Sequence, residues 1–584
     1  MSRGHPVVAF AAILSLAALG TAALASTAAA QAGSASSTVV GAAEVVSDAE
    51  WRSHGRDLAE RRYSPLDQIT RDNVGSLTVA WTYDIPRRGA RLEATPLVAD
   101  GVMYATGPMS TVFALDARTG EELWYWDPGI PDEEQGGPSA CCGDVNRGLA
   151  MHDDRLFVGL LDGRLVALDK ASGHVEWAVQ TTPAGQDYSI TGAPRVFGDK
   201  VVIGNAGAEY GVRGYVTAFA VDDGEQLWRT YTVPGNPADG FESEAMRAAA
   251  DTWTGEWWKI GAGGTVWDAM AYDAELDLLY IGTGNGSPWS RDHRSPGGGD
   301  NLYLSSILAL DGETGEYQWH YQTTPGDDWD YTATQPLMLL DLEIGGQERK
   351  VIVQAPKNGF FYVIDRVTGE FISGQAFADD VSWATHVDES GRPVETPQAR
   401  YGVSGTDTGA YLSPGPTGAH NWPPMSWNPE TGFVYLPAKN NNFFYAMTET
   451  LEYQQGQWNT GTIFRGGERP ERPEVQGPTT MLVAWDPVER REVWRMPTQG
   501  ENGGTLSTAG ALVFFGTGDR LVAFDAWTGV ELWAATVGRG TASPISYAID
   551  GVQYVTILGG RAVSGDRPEV DAPTVWTFVL GGGR

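Results

Sequence analysis

Short runs of alternating apolar and polar residues recur along the chain. Each closes on an acidic position, turns tightly, most often through Thr-Gly, and resumes as a second run ending on a large aromatic residue. The phrase reads ALDARTGEELW at 114–124, ALDKASGHVEW at 167–177, AFAVDDGEQLW at 218–228, ALDGETGEYQW at 309–319, AWDPVERREVW at 484–494 and AFDAWTGVELW at 523–533. A weaker copy, VIDRVTGEF (363–371), ends in Phe371, and WNPETGFVY (427–435) reads as a further degenerate copy. Period-two alternation predicts strands, and glycine supplies the positive φ of a tight turn, so each phrase is a strand–turn–strand unit.

The spacing of the units predicts the architecture. Trp124 and Trp177 are 53 positions apart, Trp177 and Trp228 51, Trp319 and Phe371 52, and Trp494 and Trp533 39. Strand-only units at that period are blades of a β-propeller, each burying its faces against its neighbours with one tryptophan plugging each seam. The wider gaps, 228 to 319 and 371 to 494, leave room for further blades and long loops, and the copies count seven or eight. No Pro/Ser-rich linker divides the repeats, which argues against a row of separate sandwich domains.

The first thirty residues depart from this pattern. Arg3 and His5 precede an apolar stretch from Val7 to Ala25, and Ala28 and Ala30 have the spacing of a cleavage site. The expectation is an export signal at 1–30, a single propeller domain at 31–584, a periplasmic location and no membrane span in the mature protein. The formal net charge of −34 makes nucleic acid a poor partner. The only two cysteines, Cys141 and Cys142, are adjacent, which excludes multi-cysteine zinc sites, iron–sulfur sets and the C-x-x-C-H haem signature.

Packing residues should recur in every blade, so residues that do not recur are candidates for chemistry. Four islands stand apart from the repeat. In CCGDVNR (141–147), an oxidising compartment permits a strained vicinal disulfide, with two inert thiols as the alternative. Around Thr191 and in GNAGAEYG (204–211), a glycine-rich turn exposes backbone N–H groups; alone, Glu209 reads as a solvated loop carboxylate. Thr265, Trp267 and Asn285 form the third, where Asn285 is a hard amide ligand or a turn residue. PGDDWDYT (325–332) is the fourth: a metal ligand, a base or a surface loop. Oxygen ligands, large planar surfaces and a redox-competent cysteine pair together suit a calcium site carrying a planar redox cofactor. No G-x-G-x-x-G, Walker A or G-x-S-x-G string is present.

The strings CCGDVNRG, ITGAPRV, GNAGAEYGVRGY, GGTVWD, TGNGSPW, TTPGDDWDYTA and NGFFYVIDR resemble the pyrroloquinoline quinone (PQQ)-dependent alcohol dehydrogenases, from about Trp51 to Leu580. The resemblance implies an all-β, eight-bladed propeller with tryptophan-docking repeats, its last blade closed by strands from both chain ends. It implies that Glu93, Arg147, Thr191, Ala206, Gly207, Ala208, Thr265 and Lys357 contact the cofactor. Cys141 and Cys142, as a disulfide, would lie on one face of it and Trp267 on the other, with Asn421 and Trp422 at its edge. Glu209, Asn285 and Asp330 would hold Ca²⁺, with Asp330 also the catalytic base.

The implied reaction is oxidation of a primary alcohol to an aldehyde by hydride transfer to Ca-bound PQQ. Relatives with a fused cytochrome continue past the point where this sequence stops, so a separate soluble cytochrome c is the expected electron acceptor. Thr332 stands where lanthanide-using relatives have aspartate, which favours Ca²⁺. The alternatives are a PQQ dehydrogenase for aldehydes, sugars or polymeric alcohols, or a non-enzymatic propeller scaffold. The tryptophan-rich loop from Pro234 to Trp258 is expected to shape the substrate pocket.

Overall fold

Seven sheets of four antiparallel strands, and an eighth with a fifth short strand, Tyr63–Ser64, paired parallel to Asn502–Thr508, account for most of the chain in a computed structural model that describes residues 47–86, 92–131, 137–138, 140–401, 409–464, 469–560 and 572–581. The export signal expected at 1–30 lies outside the described residues. In chain order, blades 1 to 5 occupy residues 97–126, 150–180, 195–231, 270–322 and 338–376, and blades 6 and 7 occupy 426–498 and 502–536. Blade 8 takes three strands from the end of the chain and its outermost strand, Leu77–Asp84, from the beginning. The molecule is an eight-bladed β-propeller, and residues 46–584 form one compact unit. Among the described residues no helix is long and apolar enough to cross a membrane.

Each repeated phrase is the third and fourth strand of one blade. In every copy but that of blade 3, where Ala220 takes its place, an aspartate caps the turn between them: in blade 1, Asp116 Oδ1 accepts hydrogen bonds from the backbone N–H groups of Arg118 and Thr119 and from the Thr119 hydroxyl. The turn glycine then lies on the tryptophan of the preceding blade. Gly120 sits over Trp81, Gly173 over Trp124, Gly224 over Trp177, Gly315 over Trp228, Gly369 over Trp319 and Gly529 over Trp494; a Cβ at these glycines would come within 2.4–2.8 Å of the indole. Several of these indoles also donate to a carbonyl of the next blade, as Trp124 does to Lys170 (3.2 Å) and Trp177 to Val221 (3.2 Å). The phrase is therefore a seam device, since only a residue without a side chain lets the ring lie flat on the turn.

Two seams depart from it. Phe371 of blade 5 packs under Gly391, in the insertion that precedes blade 6, and Trp533 of blade 7 meets Phe578 of blade 8 edge-on at 5.1 Å.

The wide gaps hold insertions and no extra blade. Residues 232–269 carry the helix Glu244–Ala250, and 377–425 carry the small hairpin formed by Ala384–Val387 and Pro393–Glu395. WNPETGFVY is not a further copy of the phrase: it is the first hairpin of blade 6, whose third and fourth strands already contain AWDPVERREVW. Its Gly432 would meet nothing within 4 Å if it carried a Cβ, so no ring docks there.

Candidate active site

In an antiparallel four-stranded blade, the start of strand one and the loop between strands two and three fall at the same end. All the islands that interrupt the repeat occupy those two places. Glu93, Cys141, Cys142, Arg147, Thr191, Thr265, Trp267, Asp330, Asn421 and Trp422 precede the first strand of a blade. Gly207 and Glu209, Asn285 and Lys357 lie between the second and third strands of blades 3, 4 and 5. They converge on one cavity of about 980 Å³. Every expected site residue lines it except Ala208, which is buried behind Gly207 in the turn Ala208–Tyr210.

Gly207 has φ 110°, and a Cβ there would stand 2.6 Å from the Asp187 carbonyl, so only glycine brings this turn to the cavity wall. Glu209 Oε1 accepts hydrogen bonds from Asn285 Nδ2 (3.1 Å) and Trp289 Nε1 (3.3 Å). Asp330 Oδ2 is 2.9 Å from Lys357 Nζ, and both side chains are buried. Burial pushes the Asp330 carboxyl well above the usual carboxylate range; Lys357 opposes this and the Glu209 charge adds to it. Two carboxylates, an amide and one cation thus line the same cavity. Among the described residues no three His, Cys, Asp or Glu side chains form a metal cluster, so an ion here would have to draw on the Asn285 amide as well.

At the other side of the cavity, Arg147 is buried between Glu93 (Nη2–Oε2, 2.7 Å) and Thr191 (Nη1–Oγ1, 2.8 Å), with its guanidinium 4.8 Å over the Trp267 ring. Burial disfavours its charge, but Glu93 and Asp268 outweigh that and hold its pKa above the ordinary value. The buried Thr265 Oγ1 and Arg147 Nε make no hydrogen bond. Both residues line the cavity, and a buried donor left without a hydrogen bond there fits a polar, anionic ligand; the Glu209 and Asp330 carboxylates, which line it too, fit a divalent cation. Turning the Asn285 amide about its last bond would present Oδ1 to such a cation in place of Nδ2. The Cys141 and Cys142 sulfurs lie 2.8 Å apart on the cavity wall, and closing them into the expected disulfide requires distortion of the intervening peptide.

A family profile described as "PQQ: Glucose/ethanol/alcohol dehydrogenase, beta-propeller domain" matches residues 51–375 and 394–555. The chain belongs to the PQQ-dependent alcohol dehydrogenase family. It is 49% identical over 562 residues to the quinohemoprotein alcohol dehydrogenase of Comamonas testosteroni, covering 92% of this chain and 77% of that protein. The crystal structure of that enzyme superposes with a TM-score of 0.85 at 48% identity, over 92% of this chain and 81% of the other. The 1-butanol dehydrogenase (cytochrome c) of Thauera butanivorans is 47% identical over 579 residues, 94% of this chain and 80% of that protein. A europium-containing methanol dehydrogenase superposes with a TM-score of 0.80 at 30% identity, over 91% of this chain and 98% of the other. Family membership sets aside the scaffold alternative.

The aromatic wall of this dehydrogenase cavity is not where the sequence places it. Trp253 and Trp257 are buried in a cluster with Val233, Ala262 and Leu304, and their indoles donate to the Leu302 and Pro234 carbonyls. The cavity is instead lined by Trp289, Trp458 and Phe464, with Phe464 edge-on to both tryptophans at 5.2 and 5.8 Å. His420, beside Asn421, also lines it. Nothing in the sequence distinguishes Trp289 or Trp458 from the packing tryptophans, because both roles demand a large apolar ring. Thr332 lies off the cavity: its hydroxyl is bonded to the Thr334 hydroxyl (2.9 Å) and the Gln335 amide (2.9 Å).

Proposed function

We propose that this dehydrogenase oxidises primary alcohols to aldehydes with PQQ and Ca²⁺ bound in the cavity, and passes the electrons singly to a separate cytochrome c. The observation that carries the reading is the convergence of Glu209, Asn285, Asp330 and Lys357 on the cavity that Cys141, Cys142 and Trp267 also line. When bound, PQQ supplies the two-electron oxidant and Ca²⁺ the Lewis acid.

The protein's own groups do the rest. Arg147, Thr191, Thr265, Ala206 and Gly207 bind and orient the cofactor's polar edge, with Ala208 behind them and Asn421 and Trp422 at the far side. Glu93 faces the cofactor's carboxylates. The cysteine pair, in its oxidised form, and Trp267 would confine the bound cofactor. Glu209, Asn285 and Asp330 would hold the ion, and a bound divalent charge would favour the ionised form of Asp330 against the burial that raises its pKa. Asp330 takes the hydroxyl proton of the alcohol, and Lys357 supplies positive charge beside it. Trp289, Trp458 and Phe464 exclude water from the alcohol's carbon chain.

The Thr332 hydroxyl, neutral and already bonded, supports Ca²⁺ over a trivalent ion. The cytochrome c acceptor is supported by the name of the Thauera butanivorans relative, a 1-butanol dehydrogenase (cytochrome c). The charged start and apolar run of residues 1–30 support export to the periplasm.

The test is reconstitution of the purified protein with PQQ and Ca²⁺, followed by dye-linked oxidation across primary alcohols, aldehydes, sugars and polymeric alcohols. Primary alcohols are expected to give the highest kcat/KM, and Asp330→Asn to abolish turnover while remaining folded. No oxidation of any alcohol, or full activity in Asp330→Asn, would overturn the reading.

A further inference from the structure

The loop that delivers Asp330 is held at nearly every peptide unit. The carbonyls of Asp327, Asp328 and Trp329 accept hydrogen bonds from Arg294 Nη2 (2.6 Å), Tyr401 Oη (2.7 Å) and Tyr445 Oη (2.9 Å), and the Tyr331 carbonyl accepts one from Ser305 Oγ. Those donors belong to three different parts of the chain, so the loop is fixed from several sides. At its centre Asp330 has φ 63°, in the left-handed region, which aspartate tolerates better than most residues but which still costs energy relative to the usual backbone.

A neighbouring carboxylate holds this conformation. Asp327 Oδ1 accepts the backbone N–H of Trp329 (3.2 Å) and of Tyr331 (2.9 Å), the two residues that flank Asp330. One oxygen thereby bridges the chain across Asp330 and closes it into a tight bend. Asp327 itself is fully buried, does not line the cavity, and its Oδ2 has no hydrogen-bond partner. A buried carboxyl with one unsatisfied oxygen is a poor stabiliser of the fold. Burial also pushes its pKa up to about 6, with Arg294 opposing.

We propose that Asp327 is the positioning residue of this active site: it touches neither substrate nor cofactor, and it sets the direction of the Asp330 carboxylate by holding the backbone on both sides of it. The inference rests on the reading of Asp330 as the base. What the role needs is an acceptor oxygen at Oδ1, and a negative charge is not required. Asparagine therefore replaces Asp327 in function, whereas an apolar residue of similar size does not. Misaiming a base by about 1 Å costs on the order of 100-fold in rate.

The experiment compares Asp327→Asn with Asp327→Leu in the PQQ- and Ca²⁺-loaded enzyme. It measures kcat and KM by dye-linked alcohol oxidation, and hydrogen exchange of the Trp329 and Tyr331 amides in the cofactor-free protein. The expected result is a fall in kcat on the order of 100-fold for Asp327→Leu with a much smaller change in KM. Amide protection should be lost in that variant, and Asp327→Asn should retain protection and the larger part of kcat. Wild-type kcat in Asp327→Leu, or an equal fall in both variants with protection intact in Asp327→Asn, would overturn the proposal; the latter would assign the charge a direct part in proton transfer. Should Asp327→Leu fail to fold, Asp327→Asn decides alone: a folded protein with a large loss of kcat contradicts the proposal, and retained kcat supports it. A wild type that oxidises no alcohol removes the functional reading instead, and the amide exchange still reports whether the clamp exists.

Discussion

At the scale of single residues, the site is an arrangement of charges that the fold tolerates only in combination. Asp330 and Lys357 are both buried and meet at 2.9 Å, while Glu209 faces the donors of Asn285 and Trp289. Breaking a buried pair by removing one partner typically costs about 3–5 kcal/mol. Thr332 belongs to the same neighbourhood, but its hydroxyl is committed to Thr334 and Gln335. Thr332→Asp is expected to raise the preference for a lanthanide over Ca²⁺ and to lower stability, because a carboxylate must displace those two bonds. Competitive metal binding followed by denaturation checks both, and an unchanged preference would contradict the charge argument. Glu209, Asn285 and Asp330 stood out in the sequence because they fail to recur from blade to blade, whereas Glu93, Lys357 and Asn421 were reached only through the family resemblance. Trp289, Trp458 and Phe464 were not, since an aromatic ring in a propeller carries the same signature whether it plugs a seam or faces a cavity. The burial of Trp253 and Trp257 shows the same ambiguity from the other side.

At the scale of the element, the unit of construction is the contact of one blade's turn glycine with the previous blade's tryptophan. Gly315 has φ 71°, and a Cβ there would lie 2.4 Å from the Trp228 ring; Gly432 has a similar φ of 72° with nothing within 4 Å. Alanine at Gly432 therefore carries only the backbone cost, about 1 kcal/mol, whereas alanine at Gly315 adds overpacking of about 1–3 kcal/mol. Urea unfolding of the two variants measures the difference, and equal losses would show that the ring contact contributes nothing. The repeat made this unit visible before the structure did, but the phrase alone could not say which strands of a blade it represents. WNPETGFVY imitates it because the turn of this first hairpin also carries a Thr-Gly pair, with Asn428 Oδ1 capping it as the aspartate does elsewhere. The eighth docking ring, Trp81, is invisible as a repeat, since its strand lies at the opposite end of the chain from the rest of its blade.

At the scale of the whole molecule, the antiparallel pairing of Leu77–Asp84 with Thr574–Leu580 closes the ring, and stability is a property of the closed circle. The buried imidazoles make that stability depend on pH. Burial holds His320 down to about 4, so between pH 6.5 and 4 the unfolded chain takes up a proton that the folded one refuses. Stability from this source is complete above pH 6.5 and declines as pH falls, by at most about 1.4 kcal/mol per pH unit. The gap in unfolding free energy between wild type and His320→Gln is expected to narrow as pH drops from 7 to 4.5, and a constant gap would contradict this. Eight blades bring side chains more than a hundred residues apart to one end of the molecule, and the functional account stands on what they hold there. Anomalous diffraction from crystals of the protein reconstituted with PQQ and Ca²⁺ settles it. The account predicts one ion per chain about 2.3–2.6 Å from oxygens of Glu209, Asn285 and Asp330. An ion bound elsewhere, or cofactor bound without any ion among those three side chains, would contradict it.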